Sequence, residues 1–261
     1  MKIIKKYTHY VSDKVQVELD KVEKYNVYVV YYINGLVNSN YLDWLYNQLT
    51  IINYGCPIYI VATILKSQEK FLRQSTALLF PTYNIHIECY YTNEYEYRGI
   101  LKVWELAQKH YQRNDIILYF HSKGVTRHNN YSNNKNDKYN IILKDLDKIK
   151  EIFTIFPIID KVGYSCSKLG WIWYNFWFVR GSYAHLIEKP IKTERRHYYE
   201  DWLVRKVDHV PGKKCTYTEK EKDISCYNNS VDSCYGFYTN GKTILNIGSW
   251  FDEKKYTYKK V

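Results

Sequence analysis

Asp115-Ile116-Ile117-Leu118-Tyr119-Phe120-His121-Ser122-Lys123-Gly124 is an apolar run that stops abruptly on three polar side chains and a glycine. Ile116 to Phe120 is too short for a helix and rich in β-formers, so it reads as a buried strand. His121, Ser122 and Lys123 then fall just past the strand's carboxyl end, and Gly124 frees the backbone to turn. Open α/β sheets bind ligands at that edge, where loops converge and helix amino termini face outward. A cation at such a corner suits an anion. The same pattern also fits an ordinary strand end with solvated side chains.

Upstream, Val27 to Ile33 is a continuous β-branched and aromatic run, which predicts a central strand ended by Asn34-Gly35. Tyr41, Leu42, Trp44, Leu45, Leu49 and Ile52 recur at helical spacing and predict a helix over 40–53. Ile58 to Ile64 is a second strand, and strand–helix–strand is the mark of a parallel sheet. The pattern repeats with a helix over 67–79, a strand over 85–91 and a helix opening at Asn93. There, Asn93 and Glu96 approximate a capping box. The chain up to Gly124 therefore reads as a doubly wound unit of four strands.

Downstream, residues 127–138 are polar and predict a mobile loop, either a lid over a ligand or a solvated insertion. A helix over 140–155 and a short strand over 161–166 follow. Residues 170–180 concentrate Trp171, Trp173, Phe176, Trp177 and Phe178 around Asn175 and end in Arg180. They read as an aromatic platform for sugar rings or bases, or as a hydrophobic wedge. The stretch 195–203 runs into a helix carrying Glu200 and Asp201. Neighbouring helical residues point about 100° apart, so one carboxylate of the pair faces any given pocket. Asn240-Gly241 marks a hairpin.

The chain has 261 residues, 46% hydrophobic, which suffices for a sizeable core. Its formal charge of +11 favours an anionic partner, but the cations are scattered rather than massed, which argues against nucleic acid. The abundance of Tyr, Asn, Lys and Ile reads as codon bias of an AT-rich genome. No apolar segment reaches the roughly 20 residues of a membrane span. The amino terminus lacks a signal-peptide run, so a cytoplasmic location is expected. Six cysteines without a Cys-x-x-Cys pair make a zinc site unexpected and free thiols the default. Cys215, Cys226 and Cys234 leave a disulfide open, and Asn228 heads a chance-level glycosylation pattern.

Three stretches together resemble glycosyltransferase-like proteins related to rhamnan-synthesis enzymes, found in bacterial polysaccharide loci and in large DNA viruses. They are Asn93 to Tyr97, Tyr119 to Gly124, and Asn175-Phe176-Trp177 followed by Arg180, Tyr183, Glu200 and Trp202. The resemblance spans roughly residues 27–205. It implies an α/β type A glycosyltransferase fold in one domain over 1–261, with a Rossmann-like, mostly parallel central sheet flanked by helices. The half over about 25–124 would hold a nucleotide-sugar donor and that over about 139–261 a glycan or other hydroxyl acceptor; viral origin would place the protein in the host cytoplasm.

Type A transferases usually carry an Asp-x-Asp motif at this corner to hold a divalent cation. Here the corner reads His121-Ser122-Lys123, and Asp145-Leu146-Asp147 falls in a predicted helix, so metal-independent transfer is expected, with Mn²⁺ or Mg²⁺ left possible and no metal ligands assigned. Tyr32, Asn34, Glu96, Arg98, His121, Ser122 and Lys123 are the expected donor contacts, with Lys123 and His121 on the diphosphate. Asn175, Trp177 and Arg180 would hold the sugar and acceptor, and Glu200, or else Asp201, would be the base. Two other classes stay open: a non-catalytic carbohydrate-binding or degenerate transferase-like module, and a single-strand nucleic-acid binder using stacked rings.

Overall fold

The computed structural model describes residues 24–52, 54–128, 130–133, 140, 143–144, 146–155, 160–163, 172–195 and 198–204, with the pairs 238–239 and 243–244. Its elements are β1 (Asn26–Asn34), α1 (Tyr41–Leu49), β2 (Ile58–Thr63), α2 (Glu69–Leu79), β3 (Ile85–Tyr90), α3 (Tyr97–Lys109) and β4 (Asp115–His121). Then follow α4 (Leu146–Ile155), β5 (Lys161–Gly163), β6 (Trp177–Arg180), α5 (Gly181–Ala184) and α6 (Tyr198–Asp201). Six strands form one sheet in the order β3-β2-β1-β4-β6-β5. The four strands predicted from the pattern up to Gly124 are parallel neighbours, while β6 runs antiparallel to both β4 and β5.

The alternation of side chains along β1 and β4 divides the interior into two layers. Val29, Tyr31 and Ile33 pack with Trp44, Leu45, Leu118 and Phe120 on one face. Val30 and Tyr32 pack with Ile100, Val103, Ile117 and Tyr119 on the other. Both faces are covered, which is why these strands read as unbroken apolar runs. Each fully buried large side chain contributes about 1.5–3 kcal/mol relative to exposure. Gly99 lets α3 lie against the sheet, since a Cβ there would sit 2.8 Å from Tyr32 Cβ and 2.9 Å from the Tyr119 hydroxyl.

The strand order places the topological switch at β1 and β4. From β1 the chain moves outward to β2 and β3, then crosses back to pair β4 with the opposite side of β1. Right-handed crossovers that diverge from adjacent strands leave a crevice between the two loops at their carboxyl ends.

Several elements differ from the expectation. The helix expected over 140–155 is described over Leu146–Ile155, with 143–144 outside it, and the strand expected over 161–166 is seen over Lys161–Gly163, residues 164–166 lying outside the described residues. The expected mobile loop and the residues leading into it are, in their described part, tied to α1 and the turn before it: Asn38 Nδ2 donates to the carbonyls of Val125 and His128 at 3.0 and 2.6 Å, and the Tyr131 N–H donates to Asp43. Tyr131 also meets Trp44 edge-on at 5.8 Å. Within the aromatic stretch Phe176, Trp177 and Phe178 form a wedge buried in the core, while Tyr174 is half-buried. Tyr238–Thr239 and Thr243–Ile244 pair antiparallel as the hairpin reading predicted. Cys56 and Cys89 are free thiols, whereas Cys166, Cys215, Cys226, Cys234 and Asn228 lie outside the described residues. Among the described residues no helix is long and apolar enough to cross a membrane.

Candidate functional site

A cleft of about 730 Å³ opens at the carboxyl ends of β1 and β4. Tyr32, Asn34, His121, Ser122 and Lys123 line its floor, Glu96 and Tyr95 one wall, and Tyr174, Tyr199 and Glu200 another. Beyond the ladder the two strand ends are stapled together: the Ser122 N–H donates to the Tyr32 carbonyl at 3.0 Å, and the Asn34 N–H to Ser122 Oγ at 3.3 Å. Gly124, at φ +96, then turns the chain so that Lys123, Thr126 and Arg127 rim the cleft.

Glu96, the residue immediately before α3, is the centre of the wall. Its Oε2 accepts from the Tyr119 hydroxyl at 3.0 Å and from Asn175 Nδ2 at 2.8 Å, while Asn175 Oδ1 accepts from Trp177 Nε1 at 3.3 Å. Its Oε1 faces His121 Nδ1 at 3.5 Å. His121 Nε2 lies 3.0 Å from the Tyr174 carbonyl. A carbonyl oxygen only accepts, so Nε2 carries the proton and Nδ1 is the titrating nitrogen. Burial holds the imidazole below its usual pKa, Glu96 opposes that, and Lys123 reinforces it. Tyr174 and Asn175 sit in left-handed backbone conformations, φ +71 and +53, unusual for non-glycine residues. The bonds to His121 and Glu96 hold that corner in place.

Lys123 lies over the Tyr174 ring, with Nζ 5.3 Å from its centroid. Arg127 stands four residues further on at the same rim. Glu200 lines the cleft, whereas Asp201 is buried beside Arg195, 3.9 Å from its guanidinium. That division of the pair follows the helical geometry read from the sequence.

Of the expected site residues, the structure brings together Tyr32, Asn34, Glu96, His121, Ser122, Lys123 and Glu200. Both ring nitrogens of His121 are directed at protein atoms rather than offered to a diphosphate. Arg98 turns away to Glu94, Nε to Oε2 2.5 Å, and covers the Tyr90 ring. Asn175 serves Glu96 from behind the wall, and Trp177 is buried against Tyr119 with ring centroids 5.0 Å apart. Arg180 is at the wrong end of the sheet. The antiparallel course of β6 sets it opposite Ile116, roughly 17 Å back along β4 from His121 at the usual strand rise. There it is buried and donates to the carbonyls of Arg113 and Phe153 at 2.8 and 2.6 Å.

Arg127, Tyr174 and Tyr199 line the cleft without having been read from the sequence. Arg127 carries a signal, a cation four residues beyond Lys123, but it falls inside the stretch whose composition reads as a polar loop. Tyr199 is buried with its hydroxyl tied to the backbone of Ile191 and Thr193, and burial pushes its pKa up to about 12. Among the described residues no three His, Cys, Asp or Glu side chains gather as a metal-binding group. Comparison with protein families, curated proteins and solved structures finds no match to this chain.

Proposed function

We propose that the chain is a glycosyltransferase of type A architecture that moves a sugar from a nucleoside-diphosphate donor to a hydroxyl acceptor. The observation that carries the reading is the cleft at the β1/β4 switch point, which combines two cations at its rim, Lys123 and Arg127, with a carboxylate on its wall, Glu200. The switch point of a 3-2-1-4 parallel sheet is where nucleotides bind, and the cleft has the size of a small-ligand site.

In this reading the Glu200 carboxylate takes the proton of the acceptor hydroxyl as its oxygen bonds to the anomeric carbon. The bond from that carbon to the diphosphate oxygen breaks on the opposite face, with inversion. The electron pair leaves with the diphosphate, whose charge is received by Lys123 and Arg127 as fixed positive groups without a metal ion. His121 acts indirectly, holding the Tyr174–Asn175 wall through its Nε2 bond.

The test is turnover of UDP-, GDP-, CMP- and dTDP-sugars by the full chain, each with Mn²⁺ and with EDTA, alongside Glu200→Gln. Release of one nucleoside diphosphate in EDTA, lowered about 10²- to 10⁴-fold in Glu200→Gln with donor binding retained, is the expected result, and release of CMP alone refutes the diphosphate leaving group. Activity restricted to Mn²⁺ refutes the metal-independent part. Sugar binding without release of any nucleotide replaces the transferase by a carbohydrate-binding module.

A further inference from the structure

The open edge of the sheet at β3 provides a second feature, independent of the cleft. Among the described residues no strand lies beyond β3. None of its six residues is fully buried, in contrast to β2 beside it. The bonding phase of the edge follows from two flanking bonds: the Ile58 N–H donates to the Asn84 carbonyl and the Ile64 N–H to the Tyr90 carbonyl, both at 2.9 Å. In a ladder, successive residues direct their backbone groups to alternate sides. Even-numbered residues of β3 therefore bond to β2, and Ile85, Ile87 and Cys89 present N–H and C=O outward.

Natural edge strands are blunted by proline, lysine, bulges or inward charges. β3 has no proline or lysine, and its odd-numbered side chains are Ile85, Ile87 and Cys89, half-buried against the core. Its charged residue, Glu88, lies on the other face with His86, where it already meets Lys102 at 2.5 Å and accepts from the Tyr90 hydroxyl at 3.1 Å.

We infer that this edge pairs with the same edge of a second copy of the chain, antiparallel about a twofold axis through Ile87, joining the two six-stranded sheets into one. The outward backbone groups admit only registers that match odd residues with odd ones. Centring on Ile87 gives the fullest overlap. Ile87 faces its own mate and Ile85 faces the partner's Cys89, each pair exchanging both N–H···O bonds. On the other face His86 lies opposite the partner's Glu88, so the edge is complementary to itself. A shift by one step toward either end sets His86 against His86 or Glu88 against Glu88. The charge that guards the edge against other strands thus favours this register.

Light scattering on the full chain over a concentration series tests the pairing. The expected mass rises from 31.5 kDa to twice that value. Ile87→Pro deletes an outward N–H and no bond to β2, so it is expected to give a folded monomer. His86→Glu and Glu88→His each place like groups opposite one another and weaken the dimer about tenfold, whereas the double swap restores it. A monomer at every concentration overturns the inference. So does a dimer that survives Ile87→Pro, or a double swap no tighter than either single change.

Discussion

Replacing Glu96 separates its role as the hub of the cleft wall from the presence of a charge. In Glu96→Ala the Tyr119 hydroxyl and Asn175 Nδ2, both on residues at most 1% exposed, lose their common acceptor. Each orphaned donor costs about 1–3 kcal/mol, and water entering from the cleft offsets part of this, so a net loss of about 3 kcal/mol is expected. In Glu96→Gln the amide oxygen takes the place of Oε2 and accepts both bonds, while the amide N–H₂ meets the lone pair of His121 Nδ1. That change is expected to stay within about 1 kcal/mol. Urea unfolding is the assay: at a slope of about 3 kcal/mol per M, the alanine variant shifts the midpoint by about 1 M with the slope unchanged. NMR titration of the imidazole supplies the second readout. Glu96 raises the His121 pKa against burial, so Glu96→Gln lowers it further. Equal stability of the two variants, or an unmoved His121 titration, refutes the hub.

Lys123→Met is expected to lower kcat about 10²- to 10³-fold, more than it weakens donor binding, because the charge it meets develops as the donor bond breaks; steady-state kinetics read the split. Arg180→Ala is expected to cost about 2 kcal/mol by leaving the buried Phe153 carbonyl and the part-buried Arg113 carbonyl without their donor. Calorimetric titration of the folded variant should nonetheless give unchanged nucleotide affinity. For pH, His121 is held neutral by burial, with a folded pKa below its unfolded value of 6.5. The unfolded chain therefore binds more protons between those two values, and stability falls as pH drops below 6.5 and levels off beneath the folded pKa. Denaturation series at several pH values, with His121→Gln removing the slope, check this.

The central strands were legible because burial on both faces demands unbroken runs such as Val27 to Ile33 and Ile116 to Phe120. The loop and short-helix region was less so. Asn38, Asp43 and Gln48 tie the chain after Gly124 to α1 and the turn before it through contacts about 90 residues apart in sequence, and local composition carries no trace of them.

The same division runs through the candidate site. The sequence by itself determined a parallel βα unit with polar punctuation at Asn34 and at His121-Ser122-Lys123, since apolar runs and their ends are local properties; the pairing of β1 with β4 that brings those two ends together came from the tertiary structure. The sequence also determined that only one of Glu200 and Asp201 faces a cleft, because helical spacing fixes their divergence. Only the tertiary structure decided the direction of β6. That direction carries Arg180 to the far end of the sheet and turns the Trp177 ring into the core. It alone decided, too, that Asn175 and His121 spend their polar atoms on the wall around Glu96. Strand direction and side-chain partners depend on long-range packing, and an apolar run reads the same in either direction.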